Sequence, residues 1–560
     1  MEKVQGIIKN PYFKVAALYF AAHFFMLLLS GCWWDDWTFM THDLNYINIV
    51  ASESGRPEWN FLVPLCWSLP NNGRILIFFL YLGISLFVFD ALKNSTLFDE
   101  NESLIIALLF AAFPVNEARI LISNFAYTVG LFFFYLSFML FMRWNKLEAG
   151  KKKNKFRVLL LCLFFLGFLL NSVLAYYYIL IAYLFVLELK RSEEKNIIKR
   201  VLFAVKDVLM HYPDFFVLPF VYYGFNKIFF PTHGETFGSY NSVTLSGLFK
   251  CFLYVPVSVV KVFVDVARKA ISCINIYSVA ILVLAVAVNT IRQKKETNHD
   301  IRWIDSLLNF IYGVFVMAMA AFPYVMVRGR ALDTIGVKGR DSVLVPLGAA
   351  IILYSLLSVI KGKIRKIVLS VLLILEVICF NSLYIEWQKD YYYQLSMQNL
   401  MNNEIIKLND TFFVTDLNET EVQGQRYYSF NALSYFLFGD ETRFFVPKVS
   451  ELYILENEKH MKEAIEVLGY SHMMQDYKPD DYSFDAILDY QNDLSWKDVV
   501  RLKMDEMFAP DKFNEFIKSS GKLDIYVVED DFTKALLKGY DEGKIRHDDD
   551  VLKLLAEYGY

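Results

Sequence analysis

Cysteine is scarce in this chain. Its 560 residues include only six, Cys32, Cys66, Cys162, Cys251, Cys273 and Cys379, and no two form a CxxC pair. Most fall inside apolar runs, and none lies beyond residue 379. This pattern excludes a disulfide framework and a thiolate metal site, leaving the cysteines as small buried hydrophobes. The C-terminal third has no glycine-rich phosphate loop, no HExxH pair and no internal repeat. That removes P-loop and zincin chemistry from the reading. The first apolar run, about 13–34, is longer than a leader's core and has no small-x-small cleavage site before the aspartates that follow. It reads as a retained span.

Long apolar runs are abundant. Hydrophobic residues make up 56% of the chain and aromatics 17%, against roughly 45–50% apolar in soluble domains. The runs are each about long enough to cross a hydrocarbon core of roughly 30 Å. They place spans near 13–33, 73–92, 103–117, 121–143, 157–172, 174–190, 208–229, 272–291, 305–327, 341–360 and 366–385. The apolar run 157–190 is expected to fold as two short helices with a tight turn at Asn171 and Ser172. The segment 247–270, interrupted by Lys261, Asp265 and Arg268, reads as an amphipathic helix on the outer surface. Residues 42–74 suit a long outer loop with interfacial helices, anchored by Trp59 and Trp67 at headgroup depth.

The net charge of −4 conceals a division. Residues 1–386 carry 37 Lys and Arg against 26 Asp and Glu, a net of +11, and residues 387–560 carry 19 against 34, a net of −15. Two domains follow: a polytopic membrane domain, 1–386, and an acidic soluble domain, 387–560. Basic residues concentrate at the N-terminus and in KLEAGKKKNKFR, KRSEEKNIIKR, IRQKKETNHD and KGKIRK. Basic loops stay cytoplasmic. Eleven spans satisfy all of them, with the N-terminus inside and the Asp35–Asp36 loop, residues 230–246, residues 328–341 and the tail outside. The expected fold is therefore mainly α, a membrane core of about eleven spans with a C-terminal extracytoplasmic α/β domain. TFFVTDL, RFFVP and KLDIYVVED read as its strands; LENEKHMKEAIEVLGYS and SWKDVVRLKMDEMF read as its helices. Its acidity should keep the tail off anionic headgroups.

Asp35 and Asp36 follow the first span in GCWWDDWTFMTHD, which also holds Trp37, His42 and Asp43. Charge close to a bilayer is costly and usually functional. A carboxylate pair suits a base that takes the proton of an attacking hydroxyl, or a site where a divalent ion such as Mg or Mn bridges to a phosphate. The flanking tryptophans suit a sugar ring. MVRGRALDTIGVKGRDS places Arg328, Arg330, Lys338 and Arg340 in one outer loop, where guanidinium forks would grip a lipid-linked phosphate. Glu117 and Arg119, in FPVNEARI, end the third span on the same side.

These motifs resemble those of the GT-C-type multi-pass membrane glycosyltransferases. The resemblance rests on DDW at 35–37, FPVNEAR at 113–119 and RGR…KGRDSVLVPLGAA at 328–350, and covers about 385 residues. The spacing from Asp35–Asp36 to Asn72-Gly73-Arg74 is similar to that in O-antigen-modifying membrane glucosyltransferases. The resemblance implies a helical core with an outer cavity and a polyprenyl-phosphate sugar donor entering from lipid. Asp35 or Asp36 would be the base, and Arg328, Arg330 and Arg340 would hold the leaving phosphate. The expected partners are that donor, an envelope glycan or lipid-linked acceptor, and membrane lipids, with no nucleic acid. Two other activities are open: a polymerase or ligase of lipid-linked glycans, which would share the outer arginines but could work without an acidic base, and a non-enzymatic transporter. A transporter would carry charges deep in its spans and two related halves.

Overall fold

A computed structural model describes residues 9–40, 44–148, 150–192, 194, 196–233, 245–292, 303–360, 362–416, 427–439, 442–454 and 483–560. It is mainly helical. The chain divides into two compact units. One gathers Met1–Leu28 with Val50–Ser382, the other Leu29–Ile49 with Leu383–Tyr560.

In the first unit six helices among the described residues are long and apolar enough to cross a membrane, or seven if the bent pair Gly336–Ser342 and Val345–Ser358 counts as one. The chain thus has the helices of a membrane protein; eleven crossings are more than length and composition give. Lys151–Gly167 and Val173–Tyr176 with Tyr178–Arg191 form two short arms about a turn at Asn171 and Ser172, as expected. The expected span 208–229 instead breaks at Tyr212, because Pro213 opens a new helix, Pro213–Phe229, after Ile197–His211. Segment 247–270 is part of one continuous helix, Leu245–Ser272, whose length and composition admit a crossing. Two of its three interrupting charges, Lys261 and Asp265, turn toward protein, as shown below, while Arg268 is exposed. Trp59 is likewise buried against Tyr127, ring centroids 6.2 Å apart, and not exposed in a loop.

Close helix contacts rest on small residues. Helix Trp303–Arg328 packs on Val345–Ser358, where a Cβ on Gly348 would lie 2.6 Å from the Met317 backbone nitrogen. At the helix ends, Tyr12 donates to Asp90 at 2.5 Å and Arg143 pairs with the same carboxylate at 2.8 Å, tying three helices together.

The second unit holds a four-stranded sheet in the order β2-β1-β3-β4, with β1 Thr411–Asp416, β2 Phe444–Pro447, β3 Ala486–Gln491 and β4 Lys522–Val527. β1 runs parallel to both β2 and β3, and β4 runs antiparallel to β3. Phe412, Phe413, Phe445, Ile487 and Leu488 form its core. Three strands lie where the sequence places them. β3 is the addition. Its Asp489 interrupts the apolar run, yet the carboxylate is buried and accepts from the Thr415 hydroxyl at 2.8 Å. Helix Trp496–Phe508 matches its expected range, with a Ser495–Asp498 capping box. The expected helix 455–471 lies outside the described residues.

Candidate functional site

The carboxylate pair sits in the second unit. Gly31, with φ +101°, lets the chain turn against the Tyr391 ring, which a Cβ would meet at 2.2 Å. Ser30 donates to Glu506 at 2.7 Å and its amide donates to Gln388 at 3.0 Å. Trp33 is fully buried edge-on to Trp387, at 5.2 Å. These contacts clamp the segment onto helices Gly362–Met401 and Trp496–Phe508. A short helix, Asp36–Met40, then begins. Its first residue, Asp36, has 0% exposure, whereas Asp35 is half-buried. Trp37 is buried, 6.2 Å from Phe436. His42 and Asp43 lie outside the described residues.

The other predicted residues belong to the first unit, and three of their motifs meet there. Arg74, fully buried, donates from Nε to the Ile120 carbonyl at 3.3 Å. Asn116, in the left-handed region, donates its amide to Ser342 Oγ at 2.8 Å. The Glu117 carboxylate accepts the Gly336 amide at 2.6 Å and pairs with Lys269. NGR, FPVNEAR and KGRDS are therefore bonded to one another, although 268 positions separate Arg74 from Ser342 in the chain. Arg119 serves a different purpose. It donates to the carbonyls of Asn116 and Val115 at 3.2 and 2.9 Å and lies over the Tyr81 and Phe380 rings at 5.0 and 4.5 Å. That guanidinium is spent holding the turn.

The arginines of residues 328–340 carry carboxylate partners. Arg328 pairs with Asp341 at 2.9 Å and Arg330 with Asp333 at 3.1 Å. Arg340 is half-buried and Lys338 is exposed. Helix Leu245–Ser272 supplies the residues that sequence reasoning placed on an open surface. Lys261 pairs with Asp265 at 2.8 Å and donates to the Leu332 carbonyl at 2.9 Å, while Asp265 accepts from Thr334 Oγ1 at 2.9 Å. Lys269, one turn beyond Asp265 and two beyond Lys261, reaches Glu117. The spacing of Lys261, Asp265 and Arg268 was visible in the sequence; the part played by Lys269 and the partners opposite were not.

Lys250, Lys261, Lys269, Arg328, Arg330, Lys338 and Arg340 thus stand against Glu117, Asp265, Asp333 and Asp341, an excess of three positive charges around residues 328–342. Such an excess can hold one phosphate dianion. Among the described residues no three His, Cys, Asp or Glu side chains form a set fit for a metal ion. The aspartate pair alone supplies two ligands. A cleft of about 550 Å³ in the second unit is lined by Gln491, Asn492, Asp493, Phe516, Ser520 and Lys522 and by none of the predicted residues. No family model, curated protein or solved structure matches this chain.

Proposed function

We propose that this chain is an integral membrane glycosyltransferase. It moves a sugar from a polyprenyl-phosphate donor to an envelope glycan or lipid-linked acceptor at the extracytoplasmic face. The observation that carries this reading is the pair itself: a fully buried carboxylate, Asp36, beside a half-buried one, Asp35, held among Trp33, Trp34 and Trp37 directly after the first apolar helix. As an acceptor hydroxyl attacks the anomeric carbon its proton must leave, and a carboxylate fixed on a rigid segment takes it. The sugar–phosphate bond breaks, and the lipid phosphate departs with the negative charge. Within the first unit, the charge excess around Arg328, Arg330, Lys338 and Arg340 suits the phosphate of such a donor. Glu117 holds the Gly336 amide of that segment, and Arg74 holds the Ile120 carbonyl just beyond Glu117.

The basic loops support a topology of about eleven crossings, with the N-terminus cytoplasmic and the residues after Leu383 outside, beside the glycan. The test is Asp35→Asn and Asp36→Asn, each read by structural analysis of the envelope glycan and by transfer in vesicles. Loss of a proton acceptor should slow transfer by roughly 10²–10⁴-fold, with one sugar missing from the glycan and its chain length kept. Unchanged glycan in both variants overturns the reading. A shortened chain moves the assignment to a polymerase or ligase.

A further inference from the structure

Helix Ile197–His211 leaves an apolar stripe open. Ile198, Leu202, Val205 and Leu209 recur at three- and four-residue intervals, with Val201 beside them. Ile198 is 68% exposed, Leu202 61% and Leu209 45%. Ala204 and Val208, on another side, are buried, and there the helix packs on Tyr178–Arg191 and Pro213–Phe229. Arg200 reaches back to the Leu189 carbonyl at 2.7 Å, and Asn196 caps the first turn by accepting from Ile198 and Lys199 at 3.0 and 3.2 Å. The helix is thus fixed to the body by one side, with its greasiest side uncovered. At one edge of the stripe, short of the exposed Phe203 and Met210, stand Lys199 and Lys206, seven residues apart. Both are exposed, and neither makes an ion pair among the described residues.

We infer that this helix lies in the plane of the membrane interface, its stripe sunk among acyl chains and Lys199 and Lys206 bound to anionic lipid phosphates. Three observations select a bilayer over a protein partner. Its 15 residues give a rise of about 22 Å, less than a hydrocarbon core. The stripe borders helix Pro213–Phe229, whose Phe220 and Ile228 are also exposed and apolar, so the greasy surface continues. The two cations stand side by side at one edge of the stripe, where an anionic leaflet would meet both. The assignment is independent of the glycosyltransferase reading and holds for any activity of the core.

Two arms test it on the full chain. In the first, the six cysteines are replaced by serine or alanine, and Leu202→Cys and Arg200→Cys are spin-labelled separately in nanodiscs containing phosphatidylglycerol. The label at 202 should be reached by oxygen and shielded from a water-soluble nickel chelate, and the label at 200 should not be so shielded. In the second, lipid retained by detergent-purified protein is measured by mass spectrometry for Lys199→Gln, Lys206→Gln and the double variant. Phosphatidylglycerol should fall roughly fivefold for each lysine, with phosphatidylcholine unchanged and Tm held. Nickel access at 202, a 202–202 cross-link between two copies of the chain, or equal phosphatidylglycerol in all variants overturns the proposal.

Discussion

Single side chains decide whether the motif network holds. Glu117 is buried, with the Gly336 amide on one oxygen and Lys269 on the other. Removing one member of a buried pair strands the other charge, which costs about 3–5 kcal/mol. Lys269→Met should therefore lower Tm in detergent sharply, and Lys269→Met with Glu117→Gln should recover most of the loss. Equal Tm for the wild type and the single variant would show that the pair carries no such weight. At this scale the sequence was partly legible. Glu117 stood out as a carboxylate at a span end, but its neighbour Arg119 looked equally available. Only the coordinates show Arg119 taken up by the Val115 and Asn116 carbonyls. Short-range sequence cannot show this, because a side chain's partner is chosen by what the fold brings within about 3 Å.

At the scale of elements, two contacts are open to test. Gly348 faces Met317 with no room for a Cβ. Gly348→Val should force the helices Trp303–Arg328 and Val345–Ser358 apart and cost about 1–3 kcal/mol by overpacking, read as a lower melting temperature. Helix Trp496–Phe508 begins at a capping box in which Ser495 and Asp498 satisfy each other's amides. The Ser495 hydroxyl, and after it the Ser495 amide, hold the Asp498 carboxyl below its ordinary pKa. A depressed pKa means the folded state prefers the carboxylate. This contribution is present above the unfolded carboxyl's pKa of about 3.9 and fades as pH falls through the lower, folded value. Ser495→Ala should raise the Asp498 pKa in NMR titration and cost about 1 kcal/mol of helix stability near neutral pH. An unmoved Asp498 titration would break that link.

Helix periodicity and strand composition were readable because local chemistry enforces them. Pro213 at the head of a new helix was readable too, and the expectation of a span over 208–229 passed over it. β3 was hidden because its buried Asp489 is satisfied only by Thr415, 74 residues away in the chain. The polar face of Leu245–Ser272 misled for the same reason: charges at 261 and 265 look like a surface until residues 332–334 fold against them.

For the whole molecule, topology is the testable quantity. In a cysteine-free background, Ile335→Cys and Tyr453→Cys occupy exposed positions and should react with a membrane-impermeant maleimide on intact cells. Lys199→Cys should react only after permeabilisation. Labelling of 335 and 199 from the same side would invert the arrangement on which the extracytoplasmic reaction depends.

Membrane character, the contrast between a basic core and an acidic tail, and the helical or strand nature of most segments were determined by the sequence alone. Each depends on transfer energies and local periodicities that sum over neighbouring residues. Tertiary structure alone decided that the Asp35–Asp36 segment is built onto the tail by Trp387, Tyr391 and Glu506, and that Arg74, Glu117 and Ser342 share one turn. Such groupings arise when buried polar atoms find partners far along the chain, and nothing in a linear pattern records which partner the packing will deliver.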